Sequence, residues 1–174
     1  MSESLSFHSV IDISKSSLKA FDCGIEPLNI FLSRYAQKND TLGIGKTFVA
    51  SCNRKIVGYF TLATAQLAYE EIPADFQGKL PKYPIPSLRI ARLAVDKNFQ
   101  GKGIGKLLLK QAFLKVLQVA EVTGLYFVIV DAKENSKSFY EKYGFIKLSE
   151  NNLTYFIPVE TVKQAAQPLI LPLH

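Results

Sequence analysis

Gln100-Gly101-Lys102-Gly103-Ile104-Gly105-Lys106 is the stretch on which the reading of this chain turns. Before it, Leu88 to Val95 is a β-rich apolar run closed by Asp96, which predicts a strand. After it, Ile104 to Thr123 predicts a long helix with Ile104, Leu107, Leu108 and Ala112 on one side and Gly124 as its stop. A glycine turn between strand and helix lets bare backbone approach a ligand. The first N–H groups of the helix have no partner within it, so the turn suits a diphosphate. Two familiar phosphate loops do not match. Gln100 and Leu107 stand where a Walker A loop needs its first glycine and its hydroxyl residue, and Lys106 stands where a Rossmann turn needs its third glycine.

Working outward, Leu125–Val130 is a continuous apolar and aromatic run suited to a buried strand. A helix from about Asn135 to Tyr143 stops at Gly144, and Phe145–Leu148 with Leu153–Ile157 form a hairpin-like pair. This order makes Leu88–Val95 and Leu125–Val130 parallel neighbours joined by a right-handed crossover. The expected fold is α/β (α+β), a mixed central sheet with helices on both faces. In the first half, Asp22 to Lys38 predicts a helix, with Pro27 in its first turn and Leu28, Phe31, Leu32 and Tyr35 on one stripe. A loop from Asp40 to Lys46 leads to Thr47–Ser51 and Ile56–Ala65, an antiparallel pair about the turn Cys52-Asn53-Arg54-Lys55. Between Ile72 and Pro86, the prolines 73, 81, 84 and 86 predict a loop. After Pro158 only Val159–Ala166 carries a signal for regular structure.

The chain has 174 residues, enough for a single domain over 1–174 and too few for two ordinary ones. Its 12 Phe and 8 Tyr supply a core that a disordered chain lacks. No run of roughly 18 uncharged apolar residues is present, so no membrane span is expected. Met1–Ser9, with Glu3 and His8, lacks a basic segment followed by an apolar core, which predicts a cytoplasmic protein without a secretion signal. Cys23 and Cys52 form no CxxC pair, and with only His8 and His174 besides they build no metal site. The net charge of +6 favours an anionic partner, either a nucleic acid or a phosphorylated cofactor.

The spacing of Gln100, Gly103 and Gly105 resembles the Gln/Arg-x-x-Gly-x-Gly/Ala motif of the GNAT N-acetyltransferases. Arg92-Leu93-Ala94-Val95-Asp96 resembles the family's fourth strand, and Asn135 with Phe139-Tyr140-Glu141-Lys142-Tyr143-Gly144-Phe145 resembles its Asn…Phe-Tyr-x-x-x-Gly-Phe segment. The resemblance implies a sheet splayed between its two central parallel strands, with acetyl-CoA as cofactor. Its diphosphate would lie on Gly101, Lys102, Gly103, Ile104, Gly105 and Lys106 beside Gln100. Its pantetheine would pair along Leu93, Ala94 and Val95, and Asn135 would help to seat it. An N–H near Leu93 would donate to the thioester oxygen as negative charge develops there. Tyr140 would direct its hydroxyl at the departing sulfur. Glu121, Glu134 and Glu141 fall on predicted helices, and none stands out as a general base. An α-amine, with a pKa of about 8, needs a base less than a lysine amine near 10.4, so the missing base points to α-amines.

Phe21-Asp22-Cys23-Gly24, Leu28-Asn29-x-Phe31-Leu32, Tyr35-Ala36-x-Lys38-Asn39 and Gly45-Lys46-Thr47-Phe48-Val49 resemble the opening of GNAT toxins from bacterial toxin–antitoxin modules. That subgroup acetylates the α-amino group of aminoacyl-tRNA and so blocks translation, forms homodimers, and is neutralised by a small DNA-binding antitoxin. A tRNA acceptor requires cations, for which Arg34, Lys38, Lys46, Arg89 and Arg92 are the candidates. No RRM or KH signature is present. Two other readings stand beside this one. One is a GNAT enzyme that acetylates a small-molecule amine or a protein amino group, favoured by a compact acidic pocket over a basic open face. The other is a non-catalytic acetyl-CoA-binding regulatory module, against which Tyr140 beside an intact loop argues.

Overall fold

The computed structural model describes residues 4–170, with side chains through Ala166. Glu3 and His174, which entered the sequence reading, lie outside the described residues. In chain order the elements are β1 (Ser6–Ser9), α1 (Lys15–Ala20), α2 (Glu26–Ile30), α3 (Ala36–Leu42), β2 (Lys46–Cys52), β3 (Lys55–Leu67) and α4 (Ala74–Gln77). There follow β4 (Ile85–Val95), α5 (Ile104–Val122), β5 (Phe127–Asp131), α6 (Lys137–Lys142), β6 (Ile146–Lys147), β7 (Thr154–Pro158) and α7 (Val159–Ile170). The strands form a seven-stranded sheet in the order β1-β2-β3-β4-β5-β7-β6. Its one parallel ladder among those recorded joins β4 to β5, from Ser87↔Phe127 to Ile90↔Val130, while β1–β2, β2–β3, β5–β7 and β6–β7 are antiparallel. The sheet is therefore mixed, with α5 as the crossover between its parallel strands, as the sequence order predicts.

The chain divides into two compact units, Met1–Ala63 with Ala91–Ala112 and Thr64–Ile90 with Phe113–His174. In the first, Leu18, Phe21, Phe31, Leu32, Val49, Ile56 and Tyr59 form the core. Tyr59 packs edge-on to Phe21 and stacked with Phe31, and its hydroxyl donates to the Leu28 carbonyl at 2.8 Å. In the second, Leu67, Ile72, Ile85, Phe127, Ile129 and Phe156 pack together, with Phe156 edge-on to both Phe76 and Phe127.

Several expectations shift. The helix expected from Asp22 starts at Glu26, because Asp22 to Gly24 form a turn in which the Asp22 carboxylate accepts the Gly24 N–H at 2.8 Å. α2 and α3 are joined by a wide π turn over Phe31–Tyr35. The extra residue it holds swings Tyr35 off the expected apolar stripe, leaving it 51% exposed, and Ala36 takes its place in the core. On α5, Leu107 is exposed, and Leu109 and Val116 complete the stripe of Ile104, Leu108 and Ala112. Ile85 and Pro86, expected in a loop, open β4, where a proline at the second residue of a strand removes little of the ladder. β1 and α1 carry no clear periodic signal: β1 is Ser-Phe-His-Ser and gains its conformation by pairing with Phe48–Ser51 of β2. The tail signal is one helix that continues to Ile170. No helix of the described residues is long and apolar enough to cross a membrane, and no group of three or more His, Cys, Asp or Glu among them is placed to hold a metal.

Candidate active site

In the first unit, the segment after β4 makes a short 3-10 turn, Lys97–Phe99, then an extended Gln100 and the glycine turn. Gly101 has φ +75° and Gly103 φ +82°, a region that residues with a Cβ rarely adopt. A Cβ built on either meets nothing within 4 Å, so the space over the turn is open. The first bond of α5 runs from the Leu107 N–H to the Gly103 carbonyl at 3.3 Å. The N–H groups of Ile104, Gly105 and Lys106 precede it and have no partner within the helix, as a diphosphate-binding turn requires.

The side chain of Gln100, although exposed, folds back onto the main chain. Its Nε2 donates to the carbonyls of Cys23 (3.1 Å) and Val95 (3.0 Å), so this residue fixes the turn to the end of β4. Behind it stands a brace of residues drawn from two distant stretches of the chain. The buried Asp96 caps the 3-10 turn by accepting from Asn98 N–H at 3.0 Å, and also accepts from Asp22 N–H at 3.2 Å. Lys97 N–H donates to the Asp22 carbonyl at 2.8 Å, and its ammonium pairs with the Asp22 carboxylate at 2.8 Å. Asn29 completes the brace by donating to Asp22 at 2.9 Å and accepting the Cys23 N–H at 2.9 Å. The Lys97 hydrogen bond first, then those from Gly24 and Asn29, hold the Asp22 carboxyl down at about 2.

Gly58 on β3 is a second residue that sequence reading passed over. A Cβ there would lie 2.7 Å from Leu108 Cδ1 and 2.9 Å from the Ala94 carbonyl oxygen. Its absence is what lets the first turns of α5 seat on β3 and β4. A lone glycine inside a β-branched and aromatic run was the available signal.

The candidate cations differ in their surroundings. The Arg92 guanidinium lies 3.5 Å from the centre of the Phe31 ring, half-buried, and burial lowers its pKa. No ion pair of Arg92 is recorded among the described residues. Arg34 and Lys38 are exposed, one helical turn apart. Arg34 borders a cavity of about 360 Å³ that Lys19, Asp22, Glu26, Asn29 and Ser33 also line, a mixed set of charges and not an acidic pocket. Lys46 is committed elsewhere: its ammonium holds the Asp40 carboxylate and carbonyl, both at 3.0 Å.

In the second unit, Tyr140 on α6 is buried, with its ring edge-on to Phe139 and Phe145. Burial pushes its phenol up to about 12, so it is neutral at physiological pH. No hydrogen bond of its hydroxyl is recorded among the described residues. Glu141 accepts a hydrogen bond from the Tyr155 hydroxyl of β7 at 2.7 Å, tying α6 to the sheet; this bond first, then burial, raises Tyr155 to about 12. Glu134 pairs with Lys137 at 2.8 Å, which lowers its pKa and makes it a poor base, and Glu121 is an exposed helix residue. Asn135 is exposed in the 3-10 turn Glu134–Ser136 that precedes α6. Arg89 is paired with Asp131, whose other oxygen accepts from Thr154 at 2.9 Å.

Known proteins resemble this chain in sequence and in fold. A family model described as an acetyltransferase (GNAT) domain matches residues 43–147. A tRNA-acetylating toxin of Mycobacterium tuberculosis is 31% identical over 127 residues, covering 72% of this chain and 76% of the relative. The structure of AtaT complexed with acetyl-methionyl-tRNAfMet superposes with a TM-score of 0.85 at 29% identity, covering 93% of this chain and 99% of that one. A Tyr-to-Phe variant of AtaT, bound to the C-terminus of the antitoxin AtaR and acetyl-CoA, gives 0.79 at 27% identity, with coverage of 94% and 98%.

Proposed function

Because the chain belongs to the GNAT acetyltransferase family, we propose that it transfers acetyl from acetyl-CoA to the α-amino group of an aminoacyl-tRNA, as a translation-blocking toxin. The observation that carries this reading is the glycine turn at the start of α5, held from behind by the Asp22–Asn29 brace. The turn resembles that of the family at large, whereas Asp22, Cys23 and Asn29 of the brace are among the residues that resemble the toxin subgroup.

The turn fits a diphosphate by its open face and its unpaired amides. Gly101 to Lys106 hold that group, and Gln100 acts from behind by fixing the turn to Val95. Acetyl-CoA, when bound, supplies an activated thioester. Along β4, Leu93 and Val95 offer main-chain groups beyond Ile90, where the recorded ladder with β5 ends. The N–H of Leu93 serves as donor to the oxygen that gains charge as the amine attacks. Tyr140, a neutral phenol at physiological pH, donates a hydrogen bond to the departing sulfur. Asn135 assists in seating the cofactor.

On the acceptor side, of the five candidate cations, Arg34, Lys38 and Arg92 have no ion pair recorded among the described residues and are the ones to meet phosphate, while Lys46 and Arg89 act mainly within the fold through Asp40 and Asp131. The α-amine of an esterified amino acid is already partly neutral near pH 8 and needs little help from a base, in keeping with carboxylates that are paired or exposed. A homodimer and a small DNA-binding antitoxin complete the proposal; the AtaT–AtaR complex supports the second. Mass spectrometry of aminoacyl-tRNA after incubation with the enzyme and labelled acetyl-CoA tests it. Acetylated aminoacyl-tRNA is the expected product. Turnover of small amines with charged tRNA untouched would replace the tRNA reading.

A further inference from the structure

Three side chains at the glycine turn have no role in this scheme, Lys102 entering it through its main chain alone. The Lys55 ammonium lies 5.5 Å from the centre of the Phe99 ring, and the Lys102 ammonium lies 5.3 Å from the same centre. Lys55 is the first residue of β3, Phe99 ends the turn that Asp96 caps, and Lys102 sits between Gly101 and Gly103. Phe99 is half-buried and both lysines are exposed.

The ring attracts each ammonium, whereas the two ammonium groups repel each other. Asp96 is engaged with the amides of Asp22 and Asn98, and Asp22 is held by Lys97. Two ammonium groups thus lie within 5.5 Å of the centre of one ring at the edge of a turn shaped for phosphate, and neither has an ion pair recorded among the described residues.

Coenzyme A carries a monoester phosphate at the ribose 3′ position, largely dianionic at neutral pH, on the same sugar as its 5′-diphosphate. Once the diphosphate lies on the amides from Gly101 to Lys106, the 3′-phosphate is one sugar ring away. We propose that Lys55 and Lys102, gathered at Phe99, receive the ribose 3′-phosphate of acetyl-CoA. This rests on the acetyl-CoA reading of the turn and adds to it the recognition of the cofactor's third phosphate. A nucleic-acid phosphodiester carries one charge where this site offers two, which favours the monoester.

The test is calorimetric binding of acetyl-CoA and of 3′-dephospho-acetyl-CoA to wild type, Lys55→Gln and the Lys55→Gln/Lys102→Gln double variant, at low and high salt. Wild type should prefer the phosphorylated form, each substitution should remove about fivefold of that preference, and salt should shrink it. Equal affinity of wild type for the two forms overturns the proposal while leaving the acetyl-CoA reading intact. So does a double variant that weakens both forms alike, or one that keeps the preference but raises the KM for charged tRNA, which would assign the lysines to nucleic acid. Binding of neither form by wild type removes the cofactor reading itself.

Discussion

The turn around Gly101 and Gly103 presents main chain to its ligand, while the region around Tyr140 presents one hydroxyl amid aromatic rings. In the first, side chains such as Gln100 and Asp22 bond back to the main chain and serve the backbone. In the second, the backbone of α6 serves a single side chain, and Phe139, Phe145 and the Glu141–Tyr155 bond hold it in place. A main-chain site fails when its conformation is denied. A side-chain site fails when one atom is removed and the shape is kept. Substitutions of each kind should therefore separate binding from turnover.

The largest effect is expected for Gly103→Glu. The residue must hold φ +82° with a Cβ, and it brings a negative charge to the place proposed for phosphate. Acetyl-CoA affinity measured by calorimetry should fall at least about 100-fold. Normal affinity would place the cofactor elsewhere. Next is Tyr140→Phe, which keeps the ring and loses only the hydroxyl. Single-turnover kinetics should show the chemical step slowed about 100-fold with the acetyl-CoA Kd unchanged, and an unslowed step would remove Tyr140 as the donor.

Smaller effects probe the supports. Gly58→Ala places a carbon against Leu108 and against the rigid carbonyl of Ala94, so thermal or urea unfolding should show a loss of about 1–3 kcal/mol. A weaker cofactor affinity should accompany it as the start of α5 is pushed outward. Wild-type stability after this change would mean that the helix shifts at little cost. The least is expected from Asp22→Asn, and it depends on pH. The Asp22 carboxyl titrates near 2 in the folded chain and near 3.8 when unperturbed, so its contribution is full above about pH 4 and fades as pH falls towards 2. Unfolding curves of variant and wild type should differ at neutral pH and converge in acid; a gap that persists at pH 2 would assign the effect to shape and not to charge.

The same contrast explains how much was legible in the sequence. The turn could be read because glycines at fixed spacing between a strand and a helix mark a backbone requirement locally, and α5 begins at Ile104 as expected. The parallel pair β4–β5 followed from two apolar runs with a helix between them. Tyr140 could be singled out only by resemblance, because an aromatic residue on a helix has the same local pattern whether it packs or reacts. The brace of Asp22, Asn29 and Asp96 joins residues far apart in the chain, and no local pattern announces such partners. The commitment of Lys46 to Asp40 and of Arg89 to Asp131 was hidden for the same reason. β1 was missed because Ser6 to Ser9 owe their conformation to a neighbour and not to their own side chains.

The wide turn at Phe31–Tyr35 sets the rotational phase of everything that follows on that helix. Deleting one residue within it would restore ordinary winding and rotate the downstream segment by about a quarter turn. Tyr35 would be driven inward and Ala36 outward, and Lys38 would change its heading relative to Arg92 without any change in its chemistry. Relatives that differ by one residue at this place would then present a different pattern of charge on the same scaffold, a route by which acceptor preference can change through length alone.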